Sequence, residues 1–245
     1  MIKRNKKRGQ VSAFIIFAIF IVGIIVILFI YFKPNLETEK VNPDALPIYN
    51  YVNDCLKETG EKAVFYIGQT GGYFIKPNLS TDNNIAYYYD KGENHMPSKE
   101  SIERELSLYM DNMLFFCVEG FNNFPDFNVS QKEIITKAKI NEGKVKFDVT
   151  YPISVSKGGK TYSFEKFSTE VPVRLDVIYN VLGKIMQEQM VNPDICITCL
   201  DDIATENDMY IDMYNPDEET VIFIIKDDNS KIKSESYKFI FANRY

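Results

Sequence analysis

The longest apolar run in the chain extends from Val11 to Phe32, where only Ser12 and Tyr31 carry polar groups and no side chain is charged. A helix of this length measures about 33 Å, enough to cross a hydrocarbon core of about 30 Å. The pattern therefore predicts one transmembrane helix over residues 10–33. A cleaved secretory signal is less consistent with the pattern, because its apolar region is about 7–15 residues long and ends at a small-residue cleavage site.

After residue 33, apolar positions recur every three or four residues in several stretches, a spacing typical of amphipathic helices. Ser98 is a good N-cap for the second of these, and the Gly71-Gly72 pair provides a stop after the first. The helices are predicted over about 48–68, 98–117, 174–191 and 196–206.

Other stretches alternate apolar and polar residues, most clearly from Val145 to Val155, and this period of two predicts β-strands. Pro152 cannot donate to a strand ladder, so we expect it at an edge or a bulge. Asp227 to Ser230 is read as a turn. Strands are predicted over about 73–77, 85–89, 132–141, 144–156, 160–172, 209–214, 220–226 and 236–242.

Strands and helices in separate runs indicate an α+β fold, here an N-terminal transmembrane helix followed by an ectodomain of helices packed on antiparallel β-meanders. The three prolines of residues 34–47 predict a polar stalk, and residues 48–245 the folded domain. The order of one helix and three strands, repeated, suggests two sub-units, 48–172 and 173–245.

Charge is distributed unevenly. The first 33 residues contain six of the 28 Lys and Arg residues and none of the 34 Asp and Glu residues, so the remainder carries a net charge of −12. The positive-inside rule places the N-terminus in the cytoplasm and the domain outside the cell. An acidic domain lacks the basic face that phosphate binding requires, so nucleic acid is not an expected partner.

Four cysteines follow the span, and an external compartment permits disulfides. Cys55 and Cys117 both fall on apolar stripes of predicted helices, and a bridge between them is the preferred pairing, with two free buried thiols as the alternative. Cys196 and Cys199 form a Cys-x-x-Cys motif that favours a local disulfide. Thiol exchange, metal binding and free thiols are the alternatives there.

The other polar motifs are interpreted as structural. His95 lies in a predicted loop, and Gly68 to Gly72 closes a helix instead of opening one, unlike a phosphate-binding loop. Two pairs of adjacent acids, Asp201 with Asp202 and Asp227 with Asp228, are interpreted as solvated side chains. The aromatic residues near the glycines are interpreted as packing residues rather than a binding groove, and they are Tyr73, Phe74 and Tyr87 to Tyr89. Asn78 and Asn128 begin Asn-x-Ser sequons and are candidates for glycosylation.

The residues before the span, Lys7-Arg8-Gly9-Gln10-Val11-Ser12, resemble the class III signal of archaeal type IV pilins and archaellins. The resemblance implies that a prepilin-type peptidase cuts between Gly9 and Gln10, releasing residues 1–9 as a basic cytoplasmic leader. The trimmed helix would then stay in the membrane or pack into a filament core. Phe14 departs from the pattern, since many members of this family carry Glu at the fifth mature position. An ordinary membrane anchor with basic flanks is the alternative.

These observations predict a single-pass protein of the cell surface that resembles type IV pilin-like proteins and acts through protein–protein contacts. Its expected partners are the membrane, a prepilin-type peptidase and other surface or pilin-like proteins. A membrane-anchored binding or adhesion domain outside any filament is one alternative, and an extracytoplasmic enzyme is another. The sequence favours a non-enzymatic role without cofactor or metal.

Overall fold

The computed structural model describes residues 17–24, 42–192 and 194–245. The predicted leader (1–9) and most of the predicted span (10–33) and stalk (34–47) lie outside the described residues. Residues 17–24 are helical, and their apolar side chains are largely exposed, Phe17 by 68% and Phe20 by 70%. Within the three described segments, no helix has the length and apolar character needed to cross a membrane. The chain divides into two units, residues 1–40 and residues 41–245.

The second unit contains four α-helices and nine β-strands in the part of the chain that the structure describes. The helices are α1 (Leu46–Gln69), α2 (Lys99–Val118), α3 (Leu175–Val191) and α4 (Ile197–Glu206), with a 3-10 turn at Glu119–Phe121. The strands are β1 (Tyr87–Asp90), β2 (Glu93–Asn94), β3 (Asn128–Gln131), β4 (Ile135–Asn141), β5 (Lys144–Lys157), β6 (Lys160–Val171), β7 (Tyr210–Tyr214), β8 (Thr220–Ile232) and β9 (Glu235–Arg244). The predicted α+β class is therefore confirmed.

The strands form two sheets. The first has five strands in the order β2-β1-β9-β8-β7, and β1 runs parallel to β9 while the other pairs are antiparallel. In the second sheet β5 is central, with β6 along one edge and β4 and β3 following each other along the other edge. The prediction of purely antiparallel meanders is thus wrong at β1, which pairs in parallel with β9 although Tyr87 and its partner Ala242 are 155 positions apart in the chain.

The predicted position of Pro152 is confirmed. The register between β5 and β6 shifts between Thr150 and Ile153, so two residues of β5 oppose one residue of β6. A bulge of this kind leaves one residue outside the ladder and bends the strand. Pro152 occupies the bulge, where its missing N–H removes no ladder hydrogen bond.

Helix α2 covers the outer edge of β4. The Ser107 hydroxyl accepts the Ala138 N–H at 2.9 Å, and the buried Glu103 carboxylate accepts the Ile140 N–H at 2.9 Å and the Lys139 ammonium at 2.5 Å. Unpaired strand edges are templates for association with other chains. The side chains of one helix therefore satisfy the edge of this strand within the domain.

One hydrophobic core joins both sheets and the helices between them. It includes Leu56 of α1, Leu106 of α2, Phe147 of β5, Leu182 of α3 and Phe239 of β9, each fully buried. The two suggested sub-units, 48–172 and 173–245, share this core and also share the first sheet. The helix-and-three-strand order therefore does not divide the domain into two separate layers.

The structure differs from several predicted elements and boundaries. The stalk was expected to reach residue 47, but α1 begins at Leu46, because Pro47 sits in the first turn, where no helical N–H is needed. Residues 73–77 form an irregular segment instead of a strand. The turn expected at Asp227 to Ser230 is a bulge inside β8, and the hairpin turns at Lys233 and Ser234, both with positive φ.

Candidate functional site

The disulfide between Cys55 and Cys117 joins α1 to α2, and the two Cα atoms are 5.6 Å apart. This is the pairing that the apolar stripes predict. Cys55 is only 4% exposed, and the hydroxyl of Tyr51, one turn before it, donates to the Cys117 carbonyl at 2.9 Å. The bridge is therefore part of the packed helix interface.

Cys196 and Cys199 form a second disulfide at the N-terminus of the ten-residue helix α4, with Cα atoms 5.2 Å apart. Cys196 is the N-cap, and its Sγ accepts the backbone N–H of Cys199 at 3.2 Å. Both side chains are half-buried and reach the surface. The backbone N–H groups and the helix dipole at this position stabilise negative charge, so they would favour a thiolate on Cys196 after reduction.

A carboxylate stands beside this second disulfide. Glu188, near the C-terminus of α3, has its Oε1 3.7 Å from Cys199 Sγ. Oε1 also accepts a hydrogen bond from the Asn192 side chain, which holds the carboxylate in place. The ligand atoms of Glu188, Cys196 and Cys199 lie within 4.8 Å of one another, the one cluster of metal-ligating type among the described residues. The sequence did not predict Glu188, because it lies eight positions before the motif.

The two disulfides differ in how much they constrain the unfolded chain. The first closes a loop with a sequence separation of 62, and the second closes one with a separation of three. In the chain-entropy description, these loops correspond to about 4 kcal/mol and about 2 kcal/mol of stabilisation respectively. The long-range bridge between Cys55 and Cys117 is therefore the stronger structural element, and the short-range bridge contributes less to stability.

Apolar side chains are exposed at the end of α3 and at the start of α4. Met190 and Val191 end α3 and are 47% and 73% exposed, and Ile197 begins α4 and is 60% exposed. Exposed apolar side chains of this kind are common on the surfaces of folded proteins and do not by themselves mark a binding surface.

A second exposed apolar region lies at the end of α2. Phe115 and Phe116 are 51% and 66% exposed, with ring centroids 5.9 Å apart. They line an open groove of about 680 Å³ together with polar residues of α2 and of the segment between β3 and β4. Burial raises the pKa of Asp111 in this groove, and the adjacent Thr136 offsets the effect only in part.

Of the acid pairs predicted to be solvated, Asp201 and Asp202 are exposed on α4 and Asp228 is exposed on β8, but the prediction is wrong for Asp227. Asp227 is 0% exposed, and its carboxylate accepts two hydrogen bonds from the Arg174 guanidinium, at 2.5 Å and 3.1 Å. The bulge in β8 turns this side chain inward, where a charged partner 53 positions away stabilises it.

The other motifs have the structural roles that the sequence predicts. His95 is exposed, with its Nε2 3.5 Å from a Glu93 carboxylate oxygen. Gly68 lies where α1 approaches β9, since a Cβ there would be 2.4 Å from the Lys238 carbonyl oxygen. Tyr88 is fully buried and stacks on Phe241 with ring centroids 4.8 Å apart.

The two glycosylation candidates, Asn78 and Asn128, are exposed, the first in the loop before β1 and the second at the start of β3. Gly9 and Gln10, the candidate cleavage site, lie outside the described residues. Comparison of the chain with protein-family profiles, with curated proteins and with solved structures finds no match.

Proposed function

We propose that this chain is a single-pass surface protein whose N-terminus resembles that of type IV pilin-like proteins. In this proposal residues 1–9 are a cytoplasmic leader, residues 10–33 cross the membrane, and the α+β domain is extracytoplasmic and acts through contacts with other surface or pilin-like proteins.

The observation that carries the proposal is the Cys55–Cys117 disulfide, in which Cys55 belongs to the core and the half-buried Cys117 packs against it. Disulfides persist in oxidising compartments and are rare in reducing ones. A domain with two disulfides that follows an apolar run of membrane-spanning length fits an exported domain held by an uncleaved helix. The exposed apolar side chains of residues 17–24, such as Phe17 and Phe20, agree with a helix that lies in an apolar environment.

A contact function draws support from the surface of the domain. The exposed aromatic pair Phe115 and Phe116, with ring centroids 5.9 Å apart, is a grouped apolar surface on an otherwise acidic domain. The second candidate function, an anchored binding domain outside any filament, draws support from Phe14, which replaces the Glu common at that position in the pilin family.

The experiment is expression in a host that carries a prepilin-type peptidase, followed by identification of the mature N-terminus. The wild-type chain should begin at Gln10. Gly9→Val should retain residues 1–9, because the bulky residue blocks the cleavage position. Gly23→Ala, a control inside the predicted span, should be trimmed like the wild type. An untrimmed wild-type chain would contradict the pilin-like part of the proposal and favour the plain anchor.

A further inference from the structure

Strand β7 forms an open edge of the first sheet. It pairs with β8 on one side, and in the described parts of the chain no backbone hydrogen bond links Tyr210–Tyr214 to another element. The edge of β4 is different, because Ser107 and Glu103 of α2 accept its backbone N–H groups. An uncovered strand edge presents a row of N–H and C=O groups that can pair with a further strand.

A groove lies between β7 and α4. Its volume is about 290 Å³, and its lining comes from one face of α4 and from the residues that lead into and form β7. Leu200, Ala204 and Met209 are buried, and Ile211 and Met213 are half-buried and pack against the core. These residues form the apolar part of the lining, which is the kind of surface that receives the side chains of an extended peptide.

The charged residues of the groove all have the same sign. Asp201 of α4 and Asp212 of β7 line it, and no basic residue does. Both carboxylates are exposed, and neither belongs to a salt bridge within the described segments of the chain. Lys226, which lies opposite Tyr210 in the strand register, pairs with Asp228 at 2.9 Å. Because complementary charges favour association and fix its register, the groove favours a positively charged occupant.

We propose that β7 and this groove form a strand-addition site, and that its partner is an extended, basic segment of another polypeptide. The backbone of the added strand pairs with the open edge of β7, and its side chains alternate between the two faces of the sheet. A residue opposite Asp212 lies with it on the exposed face. Residues opposite Ile211 and Met213 lie on the face that packs against the core. The preferred segment therefore alternates a basic residue with apolar residues on either side of it.

This inference rests on the contact function proposed above, and it names the chemistry of the partner. It does not depend on removal of the leader. Peptide binding by the domain and trimming at Gly9 are measured separately, so loss of one result leaves the other unchanged.

The first test uses the full chain in detergent and a capped peptide of about six residues that alternates valine and lysine. The comparison peptide has glutamate in place of each lysine. Titration calorimetry measures both affinities. We expect the lysine peptide to bind at least about tenfold more tightly than the glutamate peptide. Equal affinities, or no binding of the lysine peptide, would overturn the proposal of a basic partner.

N-methylated versions of the lysine peptide test the backbone pairing. One version carries N-methyl groups on the valines and the other carries them on the lysines. In an added strand only alternate residues direct their N–H groups toward β7, so only one of the two versions loses the donors that pair. That version should bind about tenfold more weakly than the unmodified peptide, and the other should bind equally well. Equal affinities of the two versions would overturn strand addition.

Charge variants locate the site on the domain. The double variant Asp201→Asn/Asp212→Asn should bind the lysine peptide about tenfold more weakly than the wild type, because both groove charges are lost. The matched control is Asp54→Asn/Asp202→Asn, which removes the same charge from exposed positions outside the groove and should bind like the wild type. All four side chains are exposed, so both variants should fold. Equal weakening by the two variants would indicate general attraction to an acidic domain and would overturn the site.

Discussion

Arg174 and Asp227 form a bidentate ion pair that connects the start of α3 to the bulge in β8. Asp227 is 0% exposed, Arg174 Nη2 is 2.5 Å from its Oδ1, and Nε is 3.1 Å from its Oδ2. The Ser230 hydroxyl donates to Oδ2 and accepts the Arg174 backbone N–H. Hydrogen bonding to Asp227 raises the pKa of the Arg174 guanidinium, which therefore keeps its positive charge. The buried charge is therefore fully compensated.

Removal of either partner should destabilise the domain strongly. Arg174→Met leaves a buried carboxylate without its cation, and we expect a loss of about 3–5 kcal/mol in the free energy of unfolding. The double variant Arg174→Met/Asp227→Leu should recover part of this loss, because no isolated charge remains. Denaturant unfolding measures both.

The control for this pair is Asp228→Asn. Asp228 is the neighbouring acid, but it is exposed and pairs with Lys226 at the surface. Its replacement should lower the free energy of unfolding by less than about 1 kcal/mol. Comparable losses for Arg174→Met and Asp228→Asn would contradict the account of a buried, structural ion pair.

The two disulfides should contribute unequally to stability. Replacing Cys55 and Cys117 by Ala should lower the free energy of unfolding by about 4 kcal/mol, and replacing Cys196 and Cys199 by Ala should lower it by about 2 kcal/mol. Urea unfolding of the two double variants under oxidising conditions measures the difference. Equal losses would indicate that loop length does not govern the contribution of these bridges.

Substitution by Ala should lower the free energy of unfolding at Gly68 and raise it at Gly183. Gly68→Ala places a Cβ 2.4 Å from the Lys238 carbonyl oxygen and 2.7 Å from the Tyr237 hydroxyl, so α1 must move away from β9. We expect the free energy of unfolding to fall by about 3 kcal/mol. Gly183→Ala, in α3 with nothing within 4 Å of the added Cβ, should gain about 0.5–1 kcal/mol. Thermal unfolding of the two variants checks both signs, and a stable Gly68→Ala variant would contradict the close approach.

Asp111 should make stability depend on pH in the acidic range. Burial raises its pKa in the folded domain above the ordinary value of 3.8. The folded state therefore binds the proton more tightly, so this stabilisation is full below pH 3.8 and is lost as the pH rises through the folded pKa. Asp111→Asn should be more stable than the wild type at neutral pH, with a difference that disappears in acid. The exposed Asp201→Asn is the control, and an identical pH profile for wild type and Asp111→Asn would contradict this assignment.

Local patterns predicted the helices, the central strands and a position at an edge or a bulge for Pro152, because apolar period and turn chemistry act over a few residues. The apolar stripes also predicted the Cys55–Cys117 pairing, since both cysteines face the same helix interface. Contacts between distant parts of the chain were not predictable in this way. The parallel pairing of β1 with β9, the inward turn of Asp227 toward Arg174, and the approach of Glu188 to Cys199 all depend on tertiary packing, which one sequence does not encode in a local pattern.

The mass of the intact protein purified from native membranes, before and after reduction, tests the proposed function most directly. The account predicts a mass that lacks Met1 to Gly9 and a gain of about 4 Da on reduction, two hydrogens for each disulfide. An untrimmed N-terminus would contradict the pilin-like processing. A mass unchanged by reduction would contradict the export of the domain to an oxidising compartment.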